Sequence, residues 1–223
     1  MTFNLFFNAI AKFILGVVLV GVLIFLPAGT FYYFNGWMLM TVLFIPMFIA
    51  GLVMMKVNPM LLKSRLDVKE KHVEQGLIVK ISGLMFIVGF IVAGLDFRFK
   101  FIVIPELVSY IATIIFIFGY ILYAIVLKQN TYLSRTIKVQ TGQKVISTGL
   151  YGIVRHPMYS ATLLLFLSTP LILGSLSSFF VFLLYPILIS IRAKKEEQIL
   201  IKELVGYDEY MKKVRYRLIP FIW

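Results

Sequence analysis

Long apolar runs, broken by short polar stretches, organise this chain. They cover roughly positions 13–34, 37–55, 77–95, 103–127, 158–173 and 176–191. About 20 apolar residues in helical conformation cross a hydrocarbon core, so the first four runs predict spanning helices. The first two are expected to be joined by an uncharged turn around Asn35-Gly36. The last two are shorter, meet at Gly174-Ser175 and predict a tight helical hairpin that crosses obliquely. The expected fold is an all-α polytopic membrane protein with about six transmembrane helices, the last two a helical hairpin, plus a C-terminal cytoplasmic interfacial helix. It divides into a four-span N-terminal region, 1–127, and a C-terminal region, 128–223. The run after Lys12 loosely resembles a signal peptide at Leu26-Pro27-Ala28-Gly29, but no basic stretch precedes Lys12, and a second span follows almost at once. Gly16, Gly21, Gly83, Gly89 and Gly94 fall within spans and are expected to be helix-packing positions.

Composition agrees with a lipid solvent: 61% of the 223 residues are hydrophobic and only 14% charged, against about 25% charged in soluble domains. The absence of cysteine excludes disulfides, thiolate metal sites and a cysteine nucleophile. The formal charge of +12 would suggest nucleic acid in a soluble chain, but its placement points to sidedness and to no nucleic-acid partner. Twenty of the 22 Lys and Arg residues fall at Lys12 and in the segments 56–80, 128–155 and 192–217, leaving Arg98 and Lys100 for the opposite side. The positive-inside rule makes both termini and these segments cytoplasmic, which requires an even number of spans. Phe31, Tyr32, Tyr33, Phe34 and Trp37 would form an outer aromatic belt.

Chemistry is then expected in two cytoplasmic segments. The first, 128–159, holds five basic and no acidic residues and suits an anionic partner, whether a ligand or membrane lipid headgroups. Pro157 fits the first position of a helix and biases His156 away from helical geometry. The free N–H groups of that helix start, beside Arg155, His156 and Tyr159, are a recipe for holding a carboxylate or phosphate. The second segment begins at Arg192. Arg192 and Glu196 stand four apart on one helical face, as a surface ion pair or as part of a site brought beside His156 by the hairpin. Residues 204–220 alternate apolar and basic groups, as in an interfacial helix and tail. No GxGxxG, phosphate-binding lysine loop, HExxH or nucleophile elbow is present, and His72 has no evident metal partner. Charged groups are scarce within the spans, which weakens a transporter reading.

The strings Asn130-x-Tyr-x-Ser-Arg135, Gln143-Lys-Val-Ile-Ser-Thr-Gly-x-Tyr151-x-x-Val-Arg-His-Pro-Met-Tyr159, Arg192-x-x-x-Glu-Glu-x-x-Leu200, Gly206-Tyr-x-x-Tyr210 and the closing Arg-Leu-Ile-Pro occupy about the last 95 residues. Together they resemble the isoprenylcysteine carboxyl methyltransferase family, part of a wider group that includes phospholipid N-methyltransferases. The resemblance implies a helical membrane enzyme using S-adenosylmethionine, with 128–223 as the methyltransferase core. By motif, Gln143, Lys144, Val145, Ile146, Tyr151, His156, Pro157, Met158, Tyr159 and Glu196 would contact the cofactor, and Gln140 matches a further glutamine. Eukaryotic members often place His where this chain has Gln143. Arg192 would lie by the methyl acceptor.

The residues suit that chemistry. The carboxylate of S-adenosylmethionine matches the helix start with Arg155 and His156, and its amino group and ribose match Glu196 or Glu197. The acceptor is expected to be lipophilic. A carboxylate, as in isoprenylcysteine, is already ionised and needs no base, whereas an amine must first lose a proton. A nicotinamide-dependent sterol reductase, whose tail is similarly basic and Tyr-containing, and a non-enzymatic membrane scaffold or transporter are the alternatives.

Overall fold

The computed structural model describes residues 2–67, 73–134, 136 and 139–223. His72, Arg135, Lys138, Lys69 and Lys71 lie outside the described residues. The first two apolar runs form α1 (Thr2–Ala28) and α2 (Phe34–Val57). Their turn falls at 29–33 and not at Asn35-Gly36. Gly29 takes the left-handed conformation at φ +70° that ends α1, while Gly36 lies inside α2, where a Cβ would meet the Phe25 ring at 3.0 Å. The charged stretch that follows contains an unexpected helix, α3 (Pro59–Leu66). Pro59 opens it and the Asn58 side chain caps it by accepting from the Leu61 N–H at 3.0 Å.

Next come α4 (Val73–Phe99) and α5 (Glu106–Gln129), the latter beginning after Pro105 and so three residues later than the apolar run suggests. A 3₁₀ turn (Gly149–Gly152) leads to α6 (Pro157–Ile172), which starts where Pro157 predicts. The sixth apolar run is interrupted: α7 (Leu176–Phe182) stops at Leu183 and α8 (Leu184–Glu203) resumes. Pro186 explains the break, because its ring opposes the carbonyl four residues earlier, that of Phe182. Gly206, at φ +84°, then turns the chain into the seven-residue α9 (Tyr207–Lys213). Among the described residues β structure is limited to two isolated bridges, Val103 with Ser175 and Val154 with Tyr216.

Five helical stretches are long and apolar enough to cross a membrane: Asn4–Ala28, Phe34–Val57, Gln75–Phe99, Glu106–Gln129 and Leu176–Glu203. The expected sixth, α6, has only 16 residues. At 1.5 Å per residue it rises about 24 Å, short of a hydrocarbon core of about 30 Å. It tolerates this because none of its residues is exposed. It sits inside the bundle, where Phe116, Leu165 and Ile172 join Ile24, Leu39 and Phe90 in one core.

The α1–α2, α4–α5 and α6–α7 turns meet at one end of the bundle. There buried Asp96 accepts from Ser175 Oγ (2.6 Å) and the Ile102 N–H (3.1 Å), and Ser109 Oγ donates to the Leu171 carbonyl (2.9 Å). Tyr33 belongs to this joint and not to an aromatic belt: it is 1% exposed, stacks on Phe97 at 4.0 Å and donates to the Leu173 carbonyl. Phe31, Tyr32, Phe34 and Trp37 do face outward. The other end gathers the polar segments, including Lys12, whose Nζ donates to the Leu66 carbonyl at 2.8 Å.

The span glycines divide by contact. At Gly94 a Cβ would stand 2.5 Å from the Ile24 carbonyl, and at Gly89 2.3 Å from the Phe182 ring, so both permit close helix approach. Gly83 has nothing within 4 Å and is not a packing position. Gly94→Ala is accordingly expected to cost about 1–3 kcal/mol by forcing α1 from α4, seen as a lower midpoint of thermal unfolding in detergent. Gly51→Ala, where a Cβ meets nothing within 4 Å inside α2, should leave the midpoint no lower and by helix propensity raise it slightly.

Candidate functional site

The site begins with the start of α6 and the way the chain tail is fixed to it. Val154 forms a parallel bridge to Tyr216, and the N–H groups of Arg155 and His156 donate to the carbonyls of Tyr216 and Arg217, each at 2.9 Å. Ser160 Oγ donates to the Leu218 carbonyl at 2.5 Å. The tail is therefore docked on the protein, with Val214 and Leu218 buried.

Glu197 of α8 closes this joint. Its Oε1 accepts from Arg155 Nε at 2.6 Å and lies 3.2 Å from His156 Nε2, and its Oε2 accepts from Arg217 Nε at 2.8 Å. Arg155 also donates to the carbonyls of Val214 (2.7 Å) and Arg215 (2.8 Å). With side chains 5% and 3% exposed, Arg155 and Glu197 form a buried pair whose charges are already matched.

Beside this anchor lies a cavity of about 380 Å³, within the usual range for small-molecule sites of roughly 300–1,000 Å³. Of the residues singled out in the sequence, Gln143, Lys144, Val145, Ile146, Tyr151, Arg155, His156, Met158, Tyr159, Arg192 and Glu196 line it. Three do not. Gln140 braces the loop, its Nε2 donating to the Tyr132 carbonyl at 2.6 Å and its N–H to Gln143 Oε1 at 2.9 Å. Pro157 positions the helix start, and Glu197 belongs to the anchor.

Arg192 and Glu196 are joined through a third group: Arg192 Nε donates to the Tyr159 hydroxyl at 3.1 Å, which donates to Glu196 Oε2 at 2.5 Å. The rings of His156 and Tyr159 stack at 5.4 Å, and His156 Nδ1 lies 3.9 Å from Glu196 Oε2. One helical turn of α6 thus meets one helical turn of α8 across a phenol.

The opposite wall comes from residues outside those sequence assignments. Asn130 Nδ2 donates to the Tyr151 hydroxyl at 3.0 Å, and the Tyr210 hydroxyl donates to the Tyr151 carbonyl at 2.7 Å. Burial pushes the phenols of Tyr151, Tyr207 and Tyr210 above their ordinary value, so they are neutral donors at pH 7. Tyr207 lines the cavity, is 4% exposed, and its hydroxyl has no partner among the described residues. A buried hydroxyl left unsatisfied costs about 1–3 kcal/mol, which a bound ligand's acceptor would recover. Arg65 reaches the cavity from α3, and Ile78, Val79, Ser82, Gly83 and Phe86 of α4 line it together with Phe166 and Ile189. No sequence motif marks Arg65 or the α4 residues; only the tertiary fold brings them in.

Residues 111–202 match the model of the isoprenylcysteine carboxyl methyltransferase family, the family that the motifs resemble. Delta(14)-sterol reductase TM7SF2 of Mus musculus is 35% identical over 91 residues, covering 40% of this chain and 22% of the mouse protein. The match thus spans about a fifth of that relative's length. The family segment includes α5, α6, α8 and the loop from 130 to 156, but neither Arg65 and the α4 wall nor Tyr207 and Tyr210.

Removing Glu197 should act on the fold before it acts on any ligand. Glu197→Ala leaves Arg155 buried and unpaired, an expected cost of about 3–5 kcal/mol. It should appear as a lower unfolding midpoint together with faster proteolysis of the 214–223 tail. An unchanged midpoint would refute the anchor.

Proposed function

We propose, with the match of residues 111–202 to the isoprenylcysteine carboxyl methyltransferase family model as the premise, that the protein binds S-adenosylmethionine in this cavity and methylates a lipophilic acceptor. The observation that carries the reading is one cavity lined both by polar side chains, Glu196, Tyr159, Asn130 and Gln143 among them, and by apolar side chains of α4, α6 and α8. The polar lining suits an amino-acid and nucleoside ligand; the apolar lining suits a hydrocarbon chain arriving from lipid. When bound, S-adenosylmethionine supplies a methyl group activated on a sulfonium.

The chain's own residues supply recognition and placement. Glu196 accepts from an ammonium or ribose hydroxyl, the unpartnered Tyr207 hydroxyl donates to a ligand oxygen or nitrogen, and His156 and Tyr159 present stacked rings. Arg192, tethered to Tyr159, would orient an acceptor carboxylate, which is ionised at pH 7 and needs no base. An amine acceptor, as in phospholipid N-methylation, would give its proton to Glu196. The concentration of Lys and Arg at this end of the bundle supports a cytoplasmic site.

The mouse sterol reductase supports a second reading, reduction with a nicotinamide dinucleotide. The family-model match over residues 111–202 favours the first.

Purified full-length protein, incubated with methyl-labelled S-adenosylmethionine and a total lipid extract, should transfer label to a lipid-soluble product. NADPH oxidation with no labelled product would overturn the proposal. By calorimetry Glu196→Gln should weaken S-adenosylmethionine binding about 10–100-fold by loss of a charge-assisted hydrogen bond. Tyr207→Phe should weaken it about 3–10-fold without lowering the unfolding midpoint, since the hydroxyl has no partner among the described residues.

A further inference from the structure

Arg65 belongs to a short charged helix that lies outside the family-matched segment, yet it lines the same cavity as Glu196. Its placement is built with several contacts. Ser64 Oγ donates to the carbonyls of Leu61 (2.8 Å) and Leu133 (3.0 Å), which fastens the last turn of α3 to the cavity loop. Arg65 Nη1 donates to the Ser134 carbonyl at 3.2 Å, its Nη2 donates to the Tyr123 hydroxyl, and its guanidinium carbon stands 5.5 Å from the centre of the Tyr123 ring. Lys12 of α1 holds the end of the same helix through the Leu66 carbonyl.

These contacts orient the guanidinium without neutralising it. Carbonyl and phenol partners carry no formal charge, and none of the ion pairs among the described residues involves Arg65. Two of its five N–H donors point to protein partners, so donors remain for a ligand. Arg65 and Glu196 also act in opposite directions on the same phenol, that of Tyr151: Arg65 favours its ionisation and Glu196 opposes it. The cavity therefore takes a guanidinium from α3 and a carboxylate from α8. Arg155, which the sequence suggests for anion binding, is occupied by Glu197.

We propose that Arg65 is an anion-binding residue of this cavity, its guanidinium receiving a carboxylate of the bound ligand in the space that Glu196 also lines. The assignment rests on the methyltransferase reading, in which the carboxylate belongs either to the cofactor's amino-acid group or to the acceptor. A planar guanidinium matches a carboxylate with two parallel hydrogen bonds, and a half-buried cation with no acidic partner among the described residues favours such a partner.

The test is calorimetric titration of the full-length protein in detergent with S-adenosylmethionine and with its decarboxylated analogue. If the cofactor supplies the carboxylate, Arg65→Gln lowers affinity for S-adenosylmethionine about 10–100-fold and leaves affinity for the analogue at the wild-type value. Arg65→Lys, which keeps the charge but loses the planar fork, falls between. If the acceptor supplies it, Arg65→Gln leaves cofactor affinity unchanged and raises KM for an S-prenylated N-acetylcysteine at unchanged kcat. The proposal is overturned if Arg65→Gln changes none of these values, or weakens both cofactor compounds by the same factor, as loss of loop bracing would. Wild-type protein that binds neither compound overturns the methyltransferase reading, and the Arg65 assignment with it. Wild-type protein that binds both with equal affinity leaves that reading standing and overturns only the cofactor arm.

Discussion

The carboxylate of Glu197 is the constraint on which this end of the protein depends. From α8 it holds the entry to α6 through Arg155 and His156, and the chain tail through Arg217. These are three segments far apart in sequence, and backbone hydrogen bonds between the α6 entry and the tail reinforce the joint. Charge supplies a strong reason in a medium that screens poorly: two guanidinium groups directed at one carboxylate have no equivalent alternative partners nearby. Once that joint is set, the first turn of α6 and the middle of α8 stand side by side, and the remaining polar groups follow.

Adjacent residues of α8 consequently do different work. Glu196 and Glu197 are rotated by about 100° on the helix, so one faces the cavity and the other faces away from it. A sequence string with two acids cannot say which is which, because both stand at equivalent distance from the motifs around them. Tyr159 makes the same distinction from the α6 side: its hydroxyl connects Arg192 to Glu196, while the neighbouring Arg155 is committed to the anchor. The polar inventory is small, and its division between holding the fold and facing a ligand is decided by helix phase.

Phase also sets the limit of what could be read from the chain. The apolar runs and the Pro157 helix start were legible because each depends on local composition or on a single residue's backbone chemistry. The clustering of the 143–159 and 192–196 strings was legible because their spacing reflects a site built from one hairpin. By contrast, α3 hides in a charged stretch, since eight residues with mixed character give no clear period. Tyr33 reads as one aromatic among five until Phe97 and the Leu173 carbonyl are placed beside it. Arg65 was counted only as one more positive charge, and it takes the docking of α3 on the 133–134 loop to give it a position.

The enclosed position of α6 bears on how the molecule is assembled. A 16-residue helix with Ser168, Thr169 and Pro170 near its end is a poor independent occupant of a bilayer: too short to span, with hydroxyls and a helix-breaking residue facing hydrocarbon. Packed mainly against α5, with α2, α4, α7 and α8 around it, it largely escapes those penalties, because none of its residues is exposed. Its main partner α5 precedes it in the chain, as do α2 and α4, so biosynthesis delivers most of the receptacle before the insert. Insertion of α6 is then a docking event and not an autonomous partitioning event, and its acceptance by the membrane is conditional on the helices that came before.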